Sequence, residues 1–408
     1  MAARLVRPAT DRDVLAYYAY KATAAVELYR PVMYLYFLSV GLSFVEISVL
    51  EVVYNLVTVG GEVPTGYVGD RVGRRASLVV GTVLIGGTLV GIGLAGSFLT
   101  LAVLYGFWSL GYAFRSGSED AWLYDTLGHR GSTDAFARIR GRGESVSLVT
   151  GVGGAVVGGY LGGVDLAYPF FAAAGVTALG VVALLAMREV DAADGTARLA
   201  PGLSKTARIV RESVTDPRIR PFVLYYFVLF SAVTYLVFVF LQPVFRTVAV
   251  DAGLPPASVE PALGWFYAGY SLLGAALSYN AGAIKERVGL RTWFVVLPLA
   301  VGAALAGSAL VPLLALPTLL AIRGVADVTK ALAGQYVNDR IDAVGRATVL
   351  SAMAMVSALA VVPFQLAAGA LADATTPLLA LAVGGVVLVV GSAVLLAVAS
   401  PFGRRAAG

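Results

Sequence analysis

Residues 66–75 read GYVGDRVGRR and residues 282–291 read GAIKERVGLR. A glycine, an acid, an arginine, a second glycine and a closing arginine recur at the same offsets, about half the chain apart in a sequence of 408 residues. The chain therefore reads as two related halves. Each copy stands between long apolar stretches, which makes it a tight basic connection between two helices at a membrane surface, as in duplicated membrane transporters.

Composition points the same way. Hydrophobic residues make up 58% of the chain and charged residues 13%, with a mean hydropathy of +0.81, whereas a soluble domain carries about 25% charged residues. The net charge of +5 would suggest nucleic acid in a soluble protein. Here the basic residues gather in short connections between apolar runs, where they orient helices, and no nucleic-acid partner is expected. The absence of cysteine excludes disulfides, thiolate metal sites and thiol catalysis. His129, the one histidine, cannot build a histidine metal centre alone, so neither a metal nor another cofactor is expected. The opening MAARLVRPATDRD is polar and basic without a short apolar core, which argues against a removable signal peptide.

Runs long enough to cross about 30 Å of hydrocarbon, roughly 20 residues each, are predicted at 14–40, 44–66, 76–96, 98–124, 145–164, 167–187, 221–244, 261–283, 292–311, 313–338, 347–371 and 377–399. The expected fold is an all-α membrane protein of twelve transmembrane helices in two pseudo-symmetric six-helix bundles. Residues 1–190 form the N-terminal half, 191–220 a cytoplasmic linker and 221–408 the C-terminal half. Outside the helices, 24 of the 30 Lys and Arg residues fall on one face and Arg246 alone on the other, which places both termini in the cytoplasm. The stretch SKTARIVRESV at 204–214 reads equally as a short surface helix or as a solvated charge run.

Twelve helices, a central loop and GxxxDRxGRR between helices 2 and 3 resemble the major facilitator superfamily over nearly the whole chain. Gly66, Asp70, Arg71, Gly73, Arg74 and Arg75 complete its signature. Gly282, Glu286, Arg287, Gly289 and Arg291 repeat it, with Leu290 at the Arg74 position. On physical grounds the glycines permit close approach and a sharp turn, and the Asp and Arg side chains offer charge-assisted hydrogen bonds to neighbouring helix ends. The loop is then either a latch or a topology anchor. The resemblance implies the latch, with Asp70 near a helix N-terminus and an Arg paired to an acid at the cytoplasmic end of helix 4, where Asp125 stands. Two further family patterns are incomplete. Gly106 occupies the position where an Arg is expected in helix 4. The helix 5 stretch TGVGGAVVGG at 150–159 lacks the proline of the antiporter pattern, and close helix packing explains its glycines equally well.

Charges inside the membrane mark candidate chemistry, because each costs on the order of 2.5–3.5 kcal/mol at a helix centre and normally turns toward a polar cavity. Helix 10 places Arg323, Asp327, Lys330, Gly334 and Asn338 on one face at helical spacing. Helix 4 does the same with Trp108, Tyr112, Arg115, Glu119 and Trp122, and helix 2 with Glu51, Asn55, Thr58 and Glu62. Lys21, Glu27 and Arg30 lie in or near helix 1. The resemblance implies that helices 1, 4, 7 and 10 line a central cavity and that helix 2 takes part in gating. The competing reading is mutual neutralisation within helices, Arg115 with Glu119 and Arg323 with Asp327. The candidate cavity set is thus Lys21, Glu27, Arg30, Arg115, Glu119, Arg323, Asp327 and Lys330, with charges that nearly cancel. Tyr225, Tyr226, Tyr235, Trp265, Tyr267 and Tyr270 add aromatic surface.

The expected function is a non-enzymatic secondary transporter in the plasma membrane, monomeric, moving a small solute by alternating access and coupled to protons, with export ahead of import. Glu51 is the first candidate proton carrier, since no basic residue lies within one turn of it on its own helix, and Asp120 is the second. A solute that is zwitterionic, polar and neutral, or amphipathic fits the charge balance. No GxxxxGK[ST] loop is present, so an ATP-driven pump would need a partner. The alternative is a polytopic membrane enzyme or sensor, against which stand the lone histidine and the lack of any large extramembrane domain.

Overall fold

The computed structural model describes residues 12–128, 135–189, 208, 211, 215–341, 346–399 and 401–402, with the backbone alone described at Val63, Asp70, Gly128 and 346–348. Among these, all regular structure is helical. In chain order the helices are α1 (Arg12–Ala24), α2 (Met33–Ser39), α3 (Phe44–Val72), α4 (Arg74–Leu94), α5 (Phe98–Arg115), α6 (Ser118–Gly128), α7 (Phe136–Val164) and α8 (Tyr168–Ala186). There follow α9 (Arg220–Asp251, widened to π-helical turns over Val223–Phe230), α10 (Val259–Tyr279), α11 (Ala281–Val288), α12 (Leu290–Gly307), α13 (Ala315–Asn338), α14 (Arg346–Ala374) and α15 (Pro377–Val398). His129 and, apart from Arg208 and Arg211, the stretch 204–214 lie outside the described residues.

Nine helices among the described residues are long and apolar enough to cross a membrane, so the chain is an integral, multi-pass membrane protein. The expected first, fourth and eighth spans fall outside that set, each for a visible reason. The first is split into α1 and α2 around non-helical residues 25–32, where Pro31 disfavours a helical conformation at the residue before it. The fourth is split into α5 and α6 at Ser116–Gly117, with Gly117 at a φ of +73°. The eighth, α10, is a continuous helix of 21 residues, but its Trp, Tyr, Ser and Gly residues dilute its apolar character.

The chain forms two compact units, one of Met1–Val32 with Val53–Gly202 and one of Met33–Val52 with Leu203–Gly408. In the first, α4 packs on α5 and α8, and α1 packs on α7 and α8. Tyr17, Tyr20, Leu78, Trp122, Leu184 and Met187 belong to its buried cluster. In the second, α12 packs on α15, α10 on α13, and α9 on α14 and α15.

The repeat seen in sequence recurs in the backbone. Gly73 (φ +109°) precedes α4 and Gly289 (φ +76°) precedes α12, so each motif copy turns through a conformation that residues with a Cβ rarely adopt. Side-chain caps set other helix starts. Ser97 Oγ accepts the Thr100 N–H at the start of α5, and Thr376 Oγ1 accepts the Leu379 N–H at the start of α15, with Pro377 at its first position.

Candidate functional site

The break in the first span exposes backbone inside the first unit, and two structural devices accommodate it. The first is close approach by α7. A Cβ at Gly158 would overlap the carbonyl of Leu28, one at Gly154 would stand 3.2 Å from Val26, and one at Gly162 2.7 Å from Val32. These glycines, four residues apart on one helix face, let α7 lie against the non-helical segment. The glycine-rich stretch 150–159 therefore has a packing role.

The second device is a charge network in the break itself. Arg30 donates from Nε to Glu27 Oε2 at 2.6 Å and from Nη2 to Oε1 at 3.3 Å. The Tyr29 hydroxyl donates to Glu27 at 3.2 Å, and the Tyr112 hydroxyl also donates to Glu27. The Arg30 guanidinium lies 5.9 Å from the rings of both Tyr29 and Trp108, within cation–π range. One carboxylate thus joins the break to α5.

Lower on α1, Lys21 Nζ donates to Glu119 at 2.8 Å and to Glu144 at 3.1 Å. Arg115 Nε donates to the Tyr20 hydroxyl at 2.8 Å, with the guanidinium over the Tyr20 and Tyr112 rings. These contacts remove one competing reading and correct one expectation. The Arg115–Glu119 pair of the competing reading is not made, because the turn at Ser116–Gly117 separates the two residues and Glu119 pairs with Lys21. Nor do Trp108, Tyr112, Arg115, Glu119 and Trp122 form one continuous face. Trp122 is buried in the core and donates its indole N–H to the Arg188 carbonyl at 2.9 Å. Asp120 is engaged in a half-exposed pair with Arg140 at 2.7 Å.

A cavity of about 420 Å³ opens in the first unit, lined by Thr58, Glu62, Tyr112, Arg115, Glu119, Asp120 and Arg140. Thr58 reaches it from α3 while its hydroxyl meets that of Ser109 at 2.8 Å. Among the described residues the Glu62 carboxylate makes no hydrogen bond or ion pair.

The second unit holds the other candidates. Glu51, 4% exposed, accepts hydrogen bonds from the hydroxyls of Tyr34 (3.0 Å) and Tyr235 (2.7 Å). Residues 33–52 pack in this unit, whereas Glu62, on the same face of α3, lines the cavity of the first. Arg323 of α13 lies 5.3 Å from the Phe238 ring and 5.1 Å from the Tyr270 ring. Among the described residues it forms no ion pair with Asp327, and Asp327 and Lys330 are exposed, so neutralisation along that helix is also not observed. Of the aromatic candidates, Tyr225 donates to the Phe294 carbonyl at 2.7 Å and Trp265 is exposed. The Tyr267 hydroxyl accepts from the amide of Gln242 at 2.9 Å.

In the signature loop, Arg71 lies over the Tyr67 ring at 4.5 Å, and the side chain of Asp70 lies outside what is described. Asp125 makes no ion pair with Arg71, Arg74 or Arg75 among the described residues. The acid that closes this helix start is Glu189, which sequence reasoning missed; it accepts the N–H groups of Arg75 and Ala76. In the second copy, Gly282, Glu286, Arg287 and Arg291 are exposed. Gln242 and Asp373 were missed as well. The available signals were an amide beside Pro243 in an otherwise apolar helix and an acid at the last turn of α14.

No curated protein matches the sequence. Among solved structures, the crystal structure of nucleoside transporter NupG shares 12% identity over 97% of this chain and 99% of its own, with a TM-score of 0.79. A bacterial homologue of the human lysosomal transporter Spinster, inward-facing and occupied, shares 15% over 95% and 96%, with a TM-score of 0.70. A bacterial homologue of the iron transporter ferroportin, inward-facing, shares 16% over 96% and 100%, with a TM-score of 0.63. At these identities the likeness establishes the fold. The Major Facilitator Superfamily model matches residues 22–356, and by that match the chain belongs to the Major Facilitator Superfamily, as a membrane transporter and not an enzyme.

Proposed function

We propose that this chain is a monomeric, proton-coupled secondary transporter that moves a small zwitterionic or polar neutral solute by alternating access. It sits in the plasma membrane with both termini in the cytoplasm, and export is the direction expected. The observation that carries the coupling is Glu51, a carboxylate enclosed by two phenolic donors from different helices. Such a group loads and releases a proton only when its surroundings open, which is what links a proton to a conformational cycle. Asp120 ranks behind it because Arg140 already neutralises it.

The cavity of the first unit supports the solute class. Glu119 is paired with Lys21, which Glu144 shares, and Asp120 with Arg140. Arg115, which uses Nε on Tyr20, and the Glu62 carboxylate remain to meet a solute. One cationic and one anionic wall suit a molecule with both charges, or one with donors and acceptors at its two ends. The loop 66–75 acts as the cytoplasmic latch, with Asp70 at its centre, so Asp70→Asn reduces flux while membrane insertion persists.

The test is flux in proteoliposomes, with the solute chosen by a thermal-shift screen of zwitterions and sugars. Glu51→Gln abolishes transport driven by a pH gradient and spares solute exchange at equal pH. Uphill flux in Glu51→Gln equal to that of the parent removes Glu51 from the coupling role, and a parent indifferent to the gradient removes proton coupling altogether.

A further inference from the structure

Residues 33–52 are covalently continuous at both ends with the first unit, yet they pack in the second. Two acceptors grip this segment by its backbone. Gln242, fully buried in α9, accepts the N–H groups of Tyr34 at 2.8 Å and Leu35 at 3.3 Å through Oε1. Its amide nitrogen donates to the Tyr267 hydroxyl, which fixes the orientation of the amide. Asp373, in the last turn of α14, places one oxygen on the Phe44 N–H at 2.7 Å and the other on the Val45 N–H at 3.0 Å. All four N–H groups belong to first turns of helices, where the helix itself supplies no acceptor.

Gly369, one turn before Asp373, makes the second grip sterically feasible. A Cβ there would stand 2.5 Å from Ser48 Oγ and 2.8 Å from the Phe44 carbonyl oxygen, so only a glycine allows α14 this close to α3. The segment contains no Lys or Arg and joins the first two spans, which puts it on the side of the membrane opposite the basic loops.

We propose that residues 33–52 form the gate on the non-cytoplasmic side, and that Gln242 and Asp373 are the residues that hold it shut. The proposal rests on the alternating-access reading above: a segment tethered to one unit and packed in another has to let go for access to alternate. Both grips act on backbone amides, beside the hydrogen bond that the Tyr235 hydroxyl of α9 donates to Glu51 of the same segment.

The chain has no cysteine, which allows a direct measurement. Ser48 is 1% exposed, and in Ser48→Cys the rate of labelling by an impermeant maleimide added outside intact cells reports opening. In that background Asp373→Ala and Gln242→Leu each raise the rate roughly threefold to thirtyfold, the population shift that accompanies loss of one helix cap. Gln242→Glu keeps the acceptor oxygen and stays within about twofold of the parent. Gly369→Ala raises the rate without removing any acceptor. Parental rates in both Asp373→Ala and Gln242→Leu overturn the proposal, as does labelling reachable only from the cytoplasm. If Asp373→Ala does not insert, Asp373→Ser retains one acceptor and gives an intermediate rate; a parental rate there overturns the proposal equally. Because the readout is labelling, a parent that moves no solute counts against the transport reading, whereas faster labelling in the variants still stands for the gate.

Discussion

Glu189 spreads its two carboxylate oxygens over the backbone N–H groups of Arg75 (3.0 Å) and Ala76 (3.1 Å), closing the start of α4. A Cβ at Gly73 would fall 2.6 Å from Glu189 Oε1, so the second glycine of the signature serves both the turn and the approach of this acid. Asp373 treats the start of α3 in the same way. An anion at a helix N-terminus satisfies orphan donors and meets the positive end of the helix dipole. Glu189→Ala is therefore expected to lower stability by about 0.5–2 kcal/mol, read as a lower midpoint in thermal unfolding of the purified protein. Glu189→Gln, which keeps an acceptor, loses less. An unchanged midpoint in Glu189→Ala would mean that the cap contributes nothing.

The contact between α7 and the break in the first span gives a steric prediction. Gly158→Ala drives a methyl into the Leu28 carbonyl and is expected to cost about 1–3 kcal/mol or more, as overpacking does. Gly153→Ala, on the same helix with open space around it, stays close to neutral and improves helix propensity slightly. Folded yield in detergent by size-exclusion chromatography separates the two. Equal yields would show that α7 does not need its glycine at Leu28.

Lys21 holds Glu119 and Glu144 together, and its side chain is 11% exposed against 21% and 51% for the acids. Lys21→Met leaves two carboxylates facing each other without a cation, an arrangement that costs about 3–5 kcal/mol when fully buried and correspondingly less here. The double variant Lys21→Met with Glu119→Gln removes most of that repulsion and recovers stability. A double-mutant cycle on thermal midpoints measures this, and strict additivity would show that the pair is not coupled.

Orientation is open to the same cysteine chemistry as the gate. Arg246 is exposed in α9 and is the one basic residue expected outside. Arg246→Cys should react with an impermeant thiol reagent added to intact cells, and reaction only in inverted vesicles would reverse the topology.

The residues that declare the fold do so locally. The repeat of glycine, acid and arginine at 66–75 and 282–291, the apolar runs and the lopsided distribution of basic residues are properties of neighbouring positions. Their physical consequences, a turn at positive φ before α4 and α12 and helices that cross a bilayer, need no distant partner. The breaks were harder to read. Pro31 and Gly117 are visible as letters, but a helix tolerates or yields to such residues according to what packs against it. Only α7, with glycines facing Val26, Leu28 and Val32, shows how the break that Pro31 favours is accommodated.

Charges illustrate the same division more sharply. Helical spacing put Arg115 beside Glu119 and Arg323 beside Asp327, yet Glu119 meets Lys21 from another helix and Arg323 meets two aromatic rings. Spacing along one helix names neighbours in sequence, whereas an intramembrane charge takes whichever partner best offsets its desolvation, and that partner comes from anywhere in the bundle. The sequence by itself therefore determined the membrane class, the two-fold repeat and the family, because these follow from composition and local pattern. The tertiary structure alone decided which charges pair, where Glu51 is enclosed and which acids close which helices, because those depend on residues brought together only by folding.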